Sequence, residues 1–500
     1  MAKPSRAADS AGEGLSGGFL ALAVAAAAAF VVLAALHASA YFFLYDDYAV
    51  VGVPAREPLA TLLASPVGGF WRPAALLWMR LEAGLLGFGH PAGHAAVSAG
   101  LHLLAAALAG LLARRLAASA RAGAVAFALF AASPWAGEAY FWLSARFELL
   151  CAVGVLGSLL AGLRYVETGR SAGALLALAA GAGALLAKEM AVTLPVLFAF
   201  FSFRPSRPGS PRRAALLLAA LVTLVGAYLL LRSRVVPALG GAYGGFGELL
   251  GRTDLPSHAA SYARAVLFPF PGPHASVAGA ASALHGAALG LLALLALRRR
   301  PALALLSLLA FAVSLVPVIW SALPAGSTAS GRYAYLPGAF AALLAAAGVA
   351  PPRAAPAAAT GRLGLLVSGG LLAAALVLVD AQRRAWGAAS SLARAGVEAM
   401  RPVVGKADRL YVPNLPAGFA EGPYVLKPYA LRFYFGVDRP TVRAEAVTLT
   451  LRSGRPEALS SEPDPLSEHA AGQPETVLVL PAPLPPVRDP QAPPSDPARP

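Results

Sequence analysis

The sequence predicts an all-α polytopic membrane protein with about eleven membrane-spanning helices and a small α/β appendage at its C-terminal end. Three observations predict it. Of the 500 residues, 58% are hydrophobic and only 13% charged, where a soluble chain carries about 25% charged residues. The apolar residues come in blocks of about the length that crosses a bilayer, with arginines gathered between them. After Asp380 the blocks stop, and strand-like segments and prolines follow.

Residues 1–17 form a polar tail with Lys3 and Arg6, and an apolar run begins at Phe19. Ala38-Ser39-Ala40 resembles a signal-peptidase site, but the run to Leu36 is long for a signal sequence and reads as an uncleaved anchor. The spans read as 18–43, 92–113, 119–135, 147–164, 172–187, 190–203, 213–232, 277–297, 301–320, 336–351 and 362–379, a membrane domain over 18–379. With the N-terminus cytoplasmic, the inner segments hold Arg114, Arg115, Arg121, Arg164, Arg170, Arg204 and Arg298–Arg300, among others. The short outer loops hold only Arg146, Lys188 and Arg332, which is the asymmetry that orients membrane proteins. The short spans 172–187 and 190–203 are read as a hairpin with Lys188-Glu189 at its tip, because one long span would reverse every later loop.

Two outer loops are long, 44–91 and 233–276. The first carries Phe70-Trp71-Arg72-Pro73 and then a mixed stretch from Ala74 to Gly87, read as a helix lying on the membrane surface with Trp71 and Trp78 at headgroup level. The second is expected to hold an interfacial helix around 256–268. The extracytoplasmic appendage spans 380–454, with a helix over 386–402 and strands at Arg409–Val412 and Ala446–Arg452; Thr476–Leu480, beyond it, is also strand-like. Residues 455–500 read as a Pro-rich, mostly disordered tail.

The net charge of +15 does not point to nucleic acid, because the arginines sit between apolar blocks. Cys151 is the only cysteine, so no intrachain disulfide forms. The bias toward Ala, Gly, Pro and Arg suits a GC-rich bacterial genome, hence a bacterial inner membrane.

Ionisable residues gather at the outer ends of the spans: Asp46, Asp47, Arg72, Glu138, Arg146, Glu148, Lys188, Glu189 and Arg332, with His90, His94 and His102 at the second span. Any one of them could be a snorkelling or paired residue. As a set on one face of the membrane they form a candidate site. The adjacent carboxylates Asp46 and Asp47 stand out, since such a pair at a membrane surface needs water, a cation or a substrate beside it. If 133–148 is one helix, Glu138, Trp142 and Arg146 share a face. A carboxylate, an indole and a guanidinium on one face suit a sugar phosphate. His90 and His94 are four apart without a third ligand, so no metal centre is assigned; no cofactor is certain, and a divalent metal is left open.

Six short motifs then occur in order: Tyr45-Asp46-Asp47-Tyr48, Phe70-Trp71-Arg72-Pro73, His94…His102, Pro134…Glu138…Arg146-Phe147-Glu148, Ala187-Lys188-Glu189…Leu194-Pro195 and Gly331-Arg332-Tyr333. Over residues 18–350 they resemble the membrane domain of the GT-C glycosyltransferase superfamily. The likeness is to the protein O-mannosyltransferase-like branch that carries tetratricopeptide repeats, here without the repeats. The resemblance implies a polyprenyl-phosphate sugar donor and inverting transfer to an acceptor, protein or glycan, on the outer face. It implies that Asp46 or Asp47 is the general base. Arg146, Lys188 and Arg332 would neutralise the leaving phosphate, with Arg72, His102, Glu138, Glu148 and Glu189 in the substrate site. Ser98 stands where related chains often have asparagine, and Gly331 where an acidic residue is usual. A transporter or flippase of lipid-linked sugars, and a non-catalytic assembly subunit of the same superfamily, are the alternatives. A transporter would be expected to show internal repeats and mid-membrane charges.

Overall fold

A computed structural model describes residues 6–204, 209–236, 254–269, 277–324, 327–350, 357–404, 410–420, 422–435, 442–452, 455–463, 476–477 and 480. Its helices are α1 (Arg6–Ala40), α2 (Asp47–Arg56), α3 (Leu59–Ala64), α4 (Pro73–Leu86), α5 (Pro91–Ala117), α6 (Ala120–Ala131), α7 (Gly137–Phe141), α8 (Arg146–Thr168) and α9 (Ser171–Ala187). There follow α10 (Leu194–Ser202), α11 (Pro211–Val235), α12 (Leu255–Leu267), α13 (Val277–Arg299), α14 (Pro301–Leu315), α15 (Tyr335–Val349), α16 (Ala357–Met400) and α17 (Pro428–Phe435).

Among the described residues, seven helices are long and apolar enough to cross a membrane: 17–40, 91–117, 143–168, 211–235, 277–299, 301–318 and 361–400. Shorter apolar helices cover 120–131, 171–187 and 189–202. The expected span 336–351 falls on α15, which has 15 residues and is buried along its whole length. It sits at the centre, packed by α5, α6, α8, α13, α14 and α16. Its run of alanines and glycines suits that place, because small side chains let helix backbones approach without a hydrophobic force to draw them together. At Gly348 a Cβ would run into the Leu292 carbonyl of α13, so only glycine fits there.

The short spans meet as a hairpin: α9 stops at Ala187, Lys188 adopts extended backbone (φ −161°, ψ 142°), and a 3₁₀ turn over Glu189–Thr193 leads into α10. The first long loop holds α2, α3 and α4, with α4 at the position of the expected surface helix. α12 matches the second one; residues 237–253 and 270–276 of that loop lie outside the described residues.

Two expectations are corrected. The composition change after Asp380 does not end a helix, since α16 continues unbroken to Met400. The region 133–148 is not one helix either. Pro134–Ala136 is a 3₁₀ turn, α7 is five residues long, Trp142 is extended (φ −114°, ψ 123°), and Leu143–Ala145 is a second 3₁₀ turn before α8.

Beyond α16 lie β1 (Leu410–Phe419), β2 (Val442–Arg452), β3 (Arg455–Pro463) and β4 (Thr476–Val477), ordered β3-β2-β1-β4. β1 runs parallel to β2 and β4, and β2–β3 is an antiparallel hairpin. α17 lies in the β1–β2 crossover that a parallel pair needs. β3 at 455–463 and β4 at 476–477 lie inside the stretch expected to be disordered; residues 464–475, 478–479 and 481–500 of that stretch lie outside the described residues. This unit rests on the first long loop: α17 packs on α2, and the Arg56 guanidinium donates to the Phe433 carbonyl at 2.7 Å.

Candidate functional site

The C-terminal end of α1, the starts of α5, α8 and α15, and the α9–α10 turn meet α2, α4 and the C-terminal unit at one end of the bundle. A cavity of about 320 Å³ opens there. Asp46, Arg72, Glu148, Lys188, Arg332 and Lys427 line it, with Val50, Val53, Phe70, Leu76 and Phe147 supplying an apolar wall.

Tyr45 creates the turn that enters the site. Its φ of 47° lies in the left-handed region, where a bulky side chain is strained by about 1–2 kcal/mol. The conformation is held from the C-terminal unit: the Tyr45 N–H donates to the Val425 carbonyl at 2.9 Å, and its ring meets Tyr424 at 5.1 Å. The next two carboxylates follow in helical backbone at the start of α2 and so point in different directions. Asp46 reaches the cavity with its side chain 34% exposed, and Lys427 Nζ meets it at 3.2 Å.

Asp47 is fully buried and does not line the cavity. It accepts hydrogen bonds from the Tyr41 hydroxyl (2.5 Å), the Leu44 N–H (2.9 Å), the Ser144 N–H (2.8 Å) and the Ser144 hydroxyl (2.5 Å). Burial pushes its pKa up to about 6, while the bonds from Ser144 and Tyr41 hold it back from going higher. With four donors on two oxygens, Asp47 joins the first long loop to the α7–α8 turn.

Each cation on the cavity wall has a carboxylate partner and an aromatic face. Arg72 forks onto Glu189 (2.7 and 3.1 Å) and stacks on Phe70 at 4.1 Å. Lys188 pairs with Glu148 and lies 4.8 Å from the Tyr333 ring. Arg332 pairs with Glu138 and lies over Tyr333 (4.5 Å) and Trp142 (5.2 Å). Lys427 lies 4.6 Å from the Tyr45 ring. The extended backbone at Lys188 explains how consecutive residues serve different partners, since adjacent side chains then point to opposite sides. Burial pushes the Glu138 carboxyl above its usual range, with Arg332 opposing the shift through charge and two hydrogen bonds.

Three candidates lie behind the wall. Arg146 is completely buried, bonded to Glu82, to the Ser98 hydroxyl (2.9 and 3.2 Å) and to the His94 carbonyl (2.7 Å). Glu82 also bonds His94 Nδ1 at 2.6 Å, so this network clamps α4 to α5 and α8. Burial alone would raise the Glu82 carboxyl, but His94 and Arg146 hold it below its ordinary value. Glu138 carries Arg332 into the cavity rather than sharing a helical face with Arg146. His102 is buried, linked to the Tyr335 hydroxyl (2.8 Å) and the Ala131 carbonyl (3.0 Å), and ties α5 to α6 and α15.

Glu82, Ser144 and Lys427 were not singled out in the sequence. Glu82 had a signal, a lone carboxylate inside an apolar stretch of the surface helix. Lys427 had none, being 381 positions from Asp46. Among the described residues, no group of three His, Cys, Asp or Glu side chains stands close enough to hold a metal ion.

No protein-family model matches the chain, and no curated protein matches it. Two solved structures with a similar backbone are of the Archaeoglobus fulgidus oligosaccharyltransferase. One is its complex with Zn and sulfate, at 14% identity and TM-score 0.45, covering 84% of this chain and 62% of that one. The other is its apo form, at 13% identity and TM-score 0.45, covering 85% and 64%. The chain thus spans less than two thirds of the length of the proteins it matches. Likeness at this level assigns neither family nor activity. The site's chemistry rests on its own geometry: a solvent-reached carboxylate, facing cations set on aromatic rings, and an apolar wall.

Proposed function

We propose that this chain is an integral-membrane glycosyltransferase of GT-C type in a bacterial inner membrane, with its N-terminus cytoplasmic and its cavity and C-terminal unit extracytoplasmic. It transfers one sugar from a polyprenyl-phosphate donor to an acceptor hydroxyl, protein or glycan, with inversion at the anomeric carbon. The supporting observation is that Asp46 shares one cavity with Arg72, Lys188, Arg332 and Lys427.

Asp46 is the general base and Asp47 is not. A base must reach the proton it removes, and the oxygens of Asp47 are occupied by buried donors. Asp46 takes the proton of the acceptor hydroxyl as its oxygen bonds to the anomeric carbon. The bond from that carbon to the phosphate oxygen breaks, and its electron pair leaves with polyprenyl phosphate. Lys188, Arg332 and Arg72 stabilise the charge that develops on the leaving phosphate, a role they fill best in a site partly shielded from water. Their carboxylate partners keep them in place before the donor arrives. The apolar wall of Val50, Val53, Phe70 and Leu76 suits the first prenyl units.

The test is to place the purified chain in proteoliposomes with radiolabelled undecaprenyl-phosphate mannose and a cell-envelope acceptor fraction. Release of undecaprenyl phosphate with label appearing in the acceptor is the expected result. Movement of the intact donor across the bilayer without cleavage would instead identify a flippase and overturn the reading.

A further inference from the structure

At the end of the bundle opposite the cavity, two apolar grooves meet at Arg114. One has a volume of about 780 Å³ and runs between α5, α8 and α9 past Leu108, Leu160 and Leu176; Arg114, Arg115 and Arg164 stand at its mouth. The other, of about 630 Å³, runs between α1, α5 and α6 past Leu20 and Phe127 and also ends at Arg114. Leu111, 51% exposed, forms the ridge between them and lines both. Small residues hollow both out: Gly157, Ala161 and Ala180 in the first, Gly110 and Gly123 in the second.

The charges at the mouth are unevenly committed. Arg115 is held by Glu167, with its guanidinium 2.5 Å from the carboxylate. Arg114 and Arg164 are exposed and make no side-chain ion pair among the described residues. Both grooves run along helices read as membrane spans, so hydrocarbon must cover their walls. Basic pockets between such helices attract anionic lipid headgroups, and a guanidinium fork matches a phosphate better than a point charge does. Two apolar channels diverging from one cationic point have the shape of two acyl chains diverging from one headgroup.

We propose that these grooves hold one anionic diacyl phospholipid, with its phosphate between Arg114 and Arg164 and one acyl chain in each groove. The site is separate from the Asp46 cavity and does not depend on the activity proposed for it. The lipid would brace α1, α5, α6, α8 and α9 at their inner ends, below the elements that carry the cavity.

The purified full chain in detergent is titrated with phosphatidylglycerol or phosphatidylcholine, reading lipid retention by native mass spectrometry and the unfolding temperature. The wild type should retain one phosphatidylglycerol in preference to phosphatidylcholine and be stabilised by it. Arg114→Gln/Arg164→Gln should lose roughly twenty-five-fold of that preference, about five-fold per arginine. Arg212→Gln/Arg298→Gln, two exposed arginines elsewhere in the chain, should keep it. Equal retention of both lipids by the wild type would overturn the proposal. So would an equal loss in the two double variants, which would mean diffuse attraction only. Displacement of phosphatidylglycerol by equimolar undecaprenyl phosphate would also overturn it, by marking a carrier site.

Discussion

Asp46 and Asp47 are neighbours in the chain, yet only one reaches the cavity. Asp46 lies on its wall beside Lys427, and Asp47 is enclosed by Tyr41, Leu44 and Ser144. They stand at the start of α2 in helical backbone, where successive side chains point about 100° apart, and the left-handed Tyr45 before them is held by the C-terminal unit. The carboxylate that reaches the cavity is met there by a cation 381 positions along the chain.

Asp47→Ala should destabilise the protein rather than remove a reacting group. It strands the Leu44 and Ser144 N–H groups and the Tyr41 hydroxyl in a buried site, at about 1–3 kcal/mol for each orphaned donor. A large drop in unfolding temperature and a loss of folded yield are expected in detergent.

The raised pKa of Asp47 gives a pH dependence with a definite sign. Its folded value of about 6 lies above its ordinary 3.8, so the folded state binds the proton more tightly. The contribution to stability is full below about pH 4 and is lost as pH rises through about 6, on the order of 3 kcal/mol in all. Unfolding temperatures measured across that window should show a falling component that is absent in Asp47→Asn.

Arg146 should behave as a structural clamp. Arg146→Ala leaves Glu82 buried with its guanidinium partner gone, and breaking such a pair costs about 3–5 kcal/mol. Proteolysis should then cut first near α4, which the clamp holds against α5 and α8.

Lys188 and Glu148 separate stability from chemistry. Lys188→Met leaves Glu148 buried without its cation and should lower both the unfolding temperature and turnover. Adding Glu148→Gln removes the stranded charge and should restore much of the stability. Turnover should stay about 10²–10³-fold low, since the group that meets the leaving phosphate is still missing.

Sequence reasoning reached the parts of this protein that depend on local pattern. The apolar blocks located the helices because crossing a bilayer is a matter of length and composition, and α4 and α12 were legible as amphipathic stretches between them. The α9–α10 break was legible from charge, because one long span would have reversed every later loop and taken Arg298–Arg300 off the cytoplasmic side. What stayed hidden depended on contacts distant in the chain. Glu138, Trp142 and Arg146 satisfy helical spacing, but Ser144 must turn its N–H toward Asp47, and the backbone breaks to let it. Arg146 looked like a phosphate ligand until Glu82 enclosed it. Lys427 carried no mark, because its meaning comes from the fold that brings it to Asp46.

The most direct test of the account compares Asp46→Asn with the wild type in donor cleavage and transfer. The expected result is a loss of at least about 10²-fold in turnover, in keeping with removal of a general base. The unfolding temperature should stay within the small range usual for a partly exposed substitution. Wild-type turnover in a folded Asp46→Asn protein would contradict the assignment of the base.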